Sequence, residues 1–282
     1  MTPRFNERSV AVIAAGLVLL HAGAVLFSLQ TPARLPLIHQ FAGLAASLVA
    51  ILGTVLAARG FSAGDYLRRV WTLFAASAVL LLVASLLRVG WMVAVPEVPF
   101  EHSALAAVRT LAVVVLNLLN AGALVLLALT YRRSGLQPPS SWKSHGLWAL
   151  CTVVALAIVL PRLSTNVRLL IDGGASGSQT LASVVSAFGD LVTIVLVAPI
   201  LRVAYMMRGG KLAWAWWAMA AAGAMWIVFD ARPWDRMEGP LALLAVARTA
   251  AIALKGLSGV LQRVALEPEP VKQAAPSTLR AA

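Results

Sequence analysis

Acidic and thiol side chains are scarce in this chain: eleven Asp and Glu residues stand against 23 Lys and Arg, with a single cysteine in 282 residues. That cysteine, Cys151, excludes an intrachain disulfide and every metal motif built from several thiols. Charge of either sign makes up 12% of the residues, against about 25% in soluble domains. Catalytic signatures are missing too. There is no P-loop, no GxSxG elbow, no HExxH pair and no acids paired at metal spacing, so nothing supports enzyme chemistry or a cofactor. The polar stretches between apolar blocks are shorter than about 20 residues, too short for a kinase, nuclease or nucleotide-binding domain.

What is abundant is apolar side chain, 60% of the residues, with a mean hydropathy of +0.85. It comes in blocks of about 17 to 29 residues, the length that about 30 Å of hydrocarbon demands of a helix rising 1.5 Å per residue. The blocks run over 9–29, 37–59, 71–95, 103–131, 145–161, 179–206, 211–229 and 239–260. They predict an all-α, polytopic transmembrane helix bundle of about eight spans, forming one domain over residues 1–265. Seven spans remain if the eighth block, interrupted by Arg248 and Lys255, does not cross. Seven also remain if the first is cleaved as a signal peptide behind the basic start MTPRFNER, although its apolar run exceeds the usual 7 to 15 residues or so. The segment 266–282, rich in Pro and Ala, is expected to be a disordered cytoplasmic tail.

The net charge of +12 would suggest nucleic acid in a soluble protein, but here the cations sit mostly in the turns, where they orient helices. Arg34, Arg162, Arg168, Arg232 and Arg236 fall on one side, Arg88, Arg109 and Arg248 fall within helices, and the remaining fifteen, Lys255 among them, fall on the other side. The positive-inside rule then puts both termini in the cytoplasm. The preference for Arg over Lys, with abundant Ala, Val and Leu, fits a GC-rich bacterial genome and hence a bacterial inner membrane. Membrane lipids and a protein partner are the expected contacts; nucleic acid is not.

Three turns on the basic side look alike: LAARG at 56–60, YRRSG at 131–135 and MMRGG at 206–210, followed by Trp71, Trp142 and Trp214. The pattern suggests three parallel helical hairpins flanked by a first and a last helix. Arg and Trp anchoring helix ends, with Gly stopping them, produces the same pattern without a repeat.

Ionisable groups at membrane depth are costly and normally face the bundle interior. Arg88, Arg109 and Arg248 lie toward the outer ends of helices three, four and eight, and Asp190 near the middle of helix six. Arg109, Val113, Asn117 and Asn120 fall at i, i+4, i+8 and i+11, one stripe of helix four, and Ser183, Ser186, Asp190 and Thr193 form another on helix six. The two stripes predict a shared polar interior, with His21, His39 and Gln40 as further candidates. One reading is an anion site in which arginines hold a carboxylate or phosphate and Asp190 fixes one of them. The other is an Asp190–Arg lock with the remaining arginines snorkelling to the interface. For His21 an interhelical hydrogen bond is preferred to haem or metal ligation, because the other histidines sit at helix ends.

From Gly189-Asp190 through LVTIVLVAPILRVAYMMRGG and WAWWAMAAAGAMWIVFD to Asp230, the chain resembles the multi-helix membrane sensor regions of bacterial histidine kinases and diguanylate cyclases. The resemblance implies a sensor-like bundle. The cytoplasmic output domain of those proteins is missing, so signalling would pass through a partner. The sequence therefore points to a non-catalytic sensor or scaffold that binds a ligand in its polar interior. A transporter or channel for an anionic solute is the alternative, and a lipid-handling membrane enzyme the third reading.

Overall fold

The computed structural model describes residues 7–133, 142–172, 177–208, 210–230 and 239–267. Among them there is no strand, and eight helices are long and apolar enough to cross a bilayer. They are α1 (Glu7–Phe27), α2 (Leu35–Arg59), α3 (Tyr66–Ala94), α4 (Ala104–Arg133), α5 (Trp142–Ile171), α6 (Gly177–Met206), α7 (Lys211–Asp230) and α8 (Val246–Ala265). A 3-10 stretch, Gly239–Ala245, leads into α8. Helices suit lipid because each satisfies its own backbone hydrogen bonds where no water can. The tail expected to be disordered lies outside the described residues from 268 on, as do Gly135 and Gly209 of the similar turns.

Where helix ends depart from the apolar blocks, the cause is local. Pro36 does not delay α2, which starts at Leu35, because proline has no N–H to lose in a first turn. At the far end of α3, Val95 precedes Pro96 and leaves the helical region, while the Trp91 indole donates to the Val98 carbonyl at 2.8 Å and pins the turn. The largest departure is α5, expected to stop at Pro161 and in fact continuous to Ile171. The Ser164 and Thr165 hydroxyls both donate to the Pro161 carbonyl, at 2.8 and 2.9 Å, and brace the turn that follows the proline. At 30 residues α5 is about 45 Å long, more than the hydrocarbon requires.

Six helices close into a ring in the order α2, α3, α4, α6, α7, α8, each packed on the next and α8 back on α2. The other two lie outside it, α1 against α8 and α2, α5 against α6. A ring of this kind needs its members close together. Between α2 and α8 the approach is backbone to backbone: a Cβ on Gly53 would collide with the Gly256 carbonyl, and one on Gly259 with the Gly53 carbonyl. Ala46, Ala50 and Ala57, all buried, continue the small face of α2. Without a hydrophobic force between helices in lipid, such close packing is what holds them. On the other flank of α8 the Ser258 hydroxyl donates to the Ala215 carbonyl of α7 at 2.7 Å.

The eighth block does span, and it is the most enclosed of the eight. Lys255 lies near the middle of the twenty-residue α8 and points into the bundle; it does not belong to the basic turns with which it was counted. Its cost in lipid is avoided because α8 has neighbours on several sides.

Toward the basic end, where α2 finishes at Arg59 and α7 begins at Lys211, the ring is filled by Trp71, Phe74, Leu127, Ile200 and Trp216. Trp71 and Trp216 lie 6.3 Å apart between ring centroids, and Phe74 meets Trp71 edge-on at 5.7 Å. Trp214 and Trp217 face outward as an interfacial belt requires, but Trp216 is core. The similar turns do not lead into equivalent surroundings. Trp71 is fully buried whereas Trp142 and Trp214 are exposed, and α5 packs on α6 where a hairpin would place it on α4.

Candidate functional site

The residues expected to share one polar interior fall, in the structure, into three groups.

The first group is the arginines. Arg88 of α3, Arg109 of α4 and Arg248 of α8 converge at the end opposite the basic turns, close enough for Arg109 to feel the charge of Arg88 and Arg248, and Arg248 that of Arg88. Arg88 pairs with Glu101 at 3.2 Å, half in solvent. Glu101 sits in the 3-10 turn Phe100–His102 between α3 and α4. Arg109 lies over the Phe100 ring and Arg248 over the Phe229 ring, each 5.9 Å from the centroid, a geometry in which the ring face offsets part of the lost hydration. Arg248 also packs on the bare backbone of Gly43, 3.7 Å from the place a Cβ would take. Asp230, at the end of α7, is the acid whose charge favours Arg248. Arg88 Nε and Arg109 Nε are buried with no hydrogen-bond partner among the described residues. Among the described residues, three cations stand with two neighbouring acids, Glu101 and Asp230, an excess of positive charge.

The second group is centred on His21, 3% exposed on α1. Its Nδ1 meets the Thr249 hydroxyl of α8 at 2.8 Å and its Nε2 meets His39 Nδ1 of α2 at 2.9 Å. One imidazole thus ties three helices together. His39 was taken to be too near its helix end to reach the depth of His21, yet the rings touch, 5.2 Å apart between centroids. With both ring nitrogens of His21 in hydrogen bonds, neither is directed at a metal or haem. Among the described residues no three His, Cys, Asp or Glu side chains gather as a metal would require.

The third group is a cavity of about 90 Å³ inside the six-helix ring. Asn117 and Asn120 border it from α4, Asp190 and Thr193 from α6, and Lys255 from α8. Part of each polar stripe therefore borders a common space, while Arg109, Ser183 and Ser186 are not among its described lining residues. Among the described residues no arginine borders it, so the expected grouping of Asp190 with Arg88, Arg109 and Arg248 in one pocket is not what the ring builds. Lys255 Nζ donates to Asn120 Oδ1 at 2.7 Å and to Ser77 Oγ at 3.2 Å, and stands 4.8 Å from the Phe74 ring centre. Thr193 donates to the Gly189 carbonyl of its own helix at 2.8 Å, and Gly189 lies against Asn117. The Trp71, Phe74 and Trp216 cluster closes the ring toward the basic end.

Reading the sequence alone missed Ser77, Glu101 and Thr249, and for Lys255 left open a functional interior or a segment that does not span. For Lys255 a signal existed: Arg248, Ile252 and Lys255 fall at i, i+4 and i+7, the same stripe test that picked out Asn117 and Asn120. Thr249 had none, since 228 residues separate it from His21.

No family model matches the chain, and neither a curated protein nor a solved structure matches it; what the eight apolar helices establish by themselves is a multi-pass integral membrane protein in contact with lipid.

Proposed function

We propose that this is a non-catalytic, sensor-like protein of a bacterial inner membrane, with both termini cytoplasmic, that binds a small oxyanion from the outer side and acts through a partner protein. The convergence of Arg88, Arg109 and Arg248 from three different helices carries this reading. A carboxylate or phosphate there would take hydrogen bonds from guanidinium groups that now repel one another, and would draw α3, α4 and α8 together. Because α8 packs on α1, α2 and α7, a shift at Arg248 reaches most of the bundle. The asymmetry of basic residues supports the orientation and is unaffected by moving Lys255 into the interior.

The test is calorimetric titration of the purified protein in lipid nanodiscs with phosphate, sulfate and short dicarboxylates, repeated on Arg109→Gln and Arg248→Gln. Saturable binding that weakens at least tenfold in both variants is the expected result. Binding that survives both unchanged removes the reading.

A transporter for the same anion is the second reading, favoured by the position of Lys255 seven residues below Arg248 on one face of α8, about 10 Å deeper. Uptake of the labelled anion into proteoliposomes would decide for it.

A further inference from the structure

We propose that the cavity inside the six-helix ring is a separate binding site for a single small monovalent anion, of halide, nitrate or formate size, held by the Lys255 ammonium. The reading at the arginines could fail and leave this one standing, because no arginine borders the cavity.

The argument starts from the charge. The groups Lys255 touches directly are neutral: it donates to Asn120 Oδ1 and Ser77 Oγ and faces the Phe74 ring. Asp190 borders the same space but has a partner of its own, and no Lys255–Asp190 ion pair is among those of the described residues. In such surroundings an anion is what keeps a buried lysine charged, since amide, hydroxyl and ring contacts replace only part of the ammonium's hydration. The groups beside it can complete an anion's coordination. With their oxygens accepting from Lys255, the Asn120 amide N–H groups and the Ser77 hydroxyl proton are left to donate. Size sets the limit. A void of about 90 Å³ is smaller than the roughly 150 Å³ that accommodates benzene. A halide or a planar anion of three or four heavy atoms fits with a water; sulfate, phosphate and dicarboxylates are too large or too highly charged. The aromatic cluster beneath closes the cavity toward the basic end, which makes the site a terminus rather than a channel in this conformation.

The test uses the full chain in nanodiscs at constant ionic strength, with gluconate exchanged stepwise for chloride, bromide, nitrate or sulfate, reading the thermal unfolding midpoint. A saturable rise with chloride, bromide and nitrate, none with sulfate, is expected in the Arg248→Gln background, where the arginine site cannot contribute. Lys255→Met, which keeps the stem and removes the charge, should abolish the rise. Asn120→Asp, which places a carboxylate on the ammonium, should abolish it too by supplying the anion internally. Equal response to all four anions, or a rise that persists in Lys255→Met or Asn120→Asp, overturns the proposal and leaves the cavity to water.

Discussion

Gly53 of α2 and Gly256 of α8 meet with no side chain between their backbones, and the space a Cβ on Gly53 would need is occupied by the Gly256 carbonyl. Backbone cannot yield as a rotamer does, so any larger residue must drive the two helices apart. Gly53→Val or Gly256→Val should each cost about 3 kcal/mol or more, at the upper end of overpacking effects. Gly23→Val, where nothing stands within 4 Å, should be tolerated. The fraction of folded protein in detergent, followed by thermal unfolding of all three, checks the contrast.

Removing the His21 ring unties three helices at once. His21→Leu leaves the Thr249 hydroxyl and His39 without that partner, and should lower stability by about 1 to 2 kcal/mol, as for interhelical hydrogen bonds in lipid. Thr249→Val should cost less, since His39 still holds the ring. A double-mutant cycle on the two positions gives the coupling directly.

The Trp71 indole N–H is buried with no hydrogen-bond partner among the described residues. Trp71→Phe therefore removes a polar group that contributes nothing where it lies, and that gain offsets part of the cavity it leaves. The net cost should stay below about 1.5 kcal/mol, whereas Trp71→Ala should cost about 3 to 5 kcal/mol. Trp214→Ala, on the lipid-facing surface at 68% exposure, should change stability little. Chemical denaturation of the three variants measures the order.

Glu101 neutralises one of the three arginines from a half-exposed position. Such a pair is worth about 0 to 1 kcal/mol, so Glu101→Gln should leave the unfolding midpoint almost unchanged. If an oxyanion binds at the arginines, the same substitution should raise its affinity several-fold by releasing Arg88. Calorimetric titration separates the two effects; weaker binding in Glu101→Gln would contradict the assignment of Arg88 to the site.

The span count was legible because lipid imposes it: apolar runs of bilayer length have no other stable arrangement. Helix ends were less so, since Pro36 and Pro161 read as boundaries in a sequence but are carried inside helices by a first turn and by neighbouring hydroxyls. The stripes Asn117, Asn120 and Asp190, Thr193 were visible by periodicity and do border one cavity. What periodicity does not encode is which helices are neighbours. That α1 and α5 stand outside the ring, and that Asp190 and the arginines occupy different levels, follows from packing across the whole chain. Lys255 was misplaced for a related reason, because a lysine ten residues from a helix end reads equally as an anchor or as an interior charge.

The seating of α8 between α1, α2 and α7 bears on how the protein is made. Helices leave the ribosome in order, so α1 and α2 enter the bilayer long before the helix both of them pack on exists. Until then His21 has no Thr249 to meet, and the glycine face of α2 is turned to lipid or to an insertion factor. The two least apolar helices, α7 and α8, are also made after the other six. Their entry as a pair, with Arg248 and Lys255 passing directly into a waiting protein interior, would close the ring, and a nascent chain halted before α8 should stay open to cross-linking by membrane chaperones.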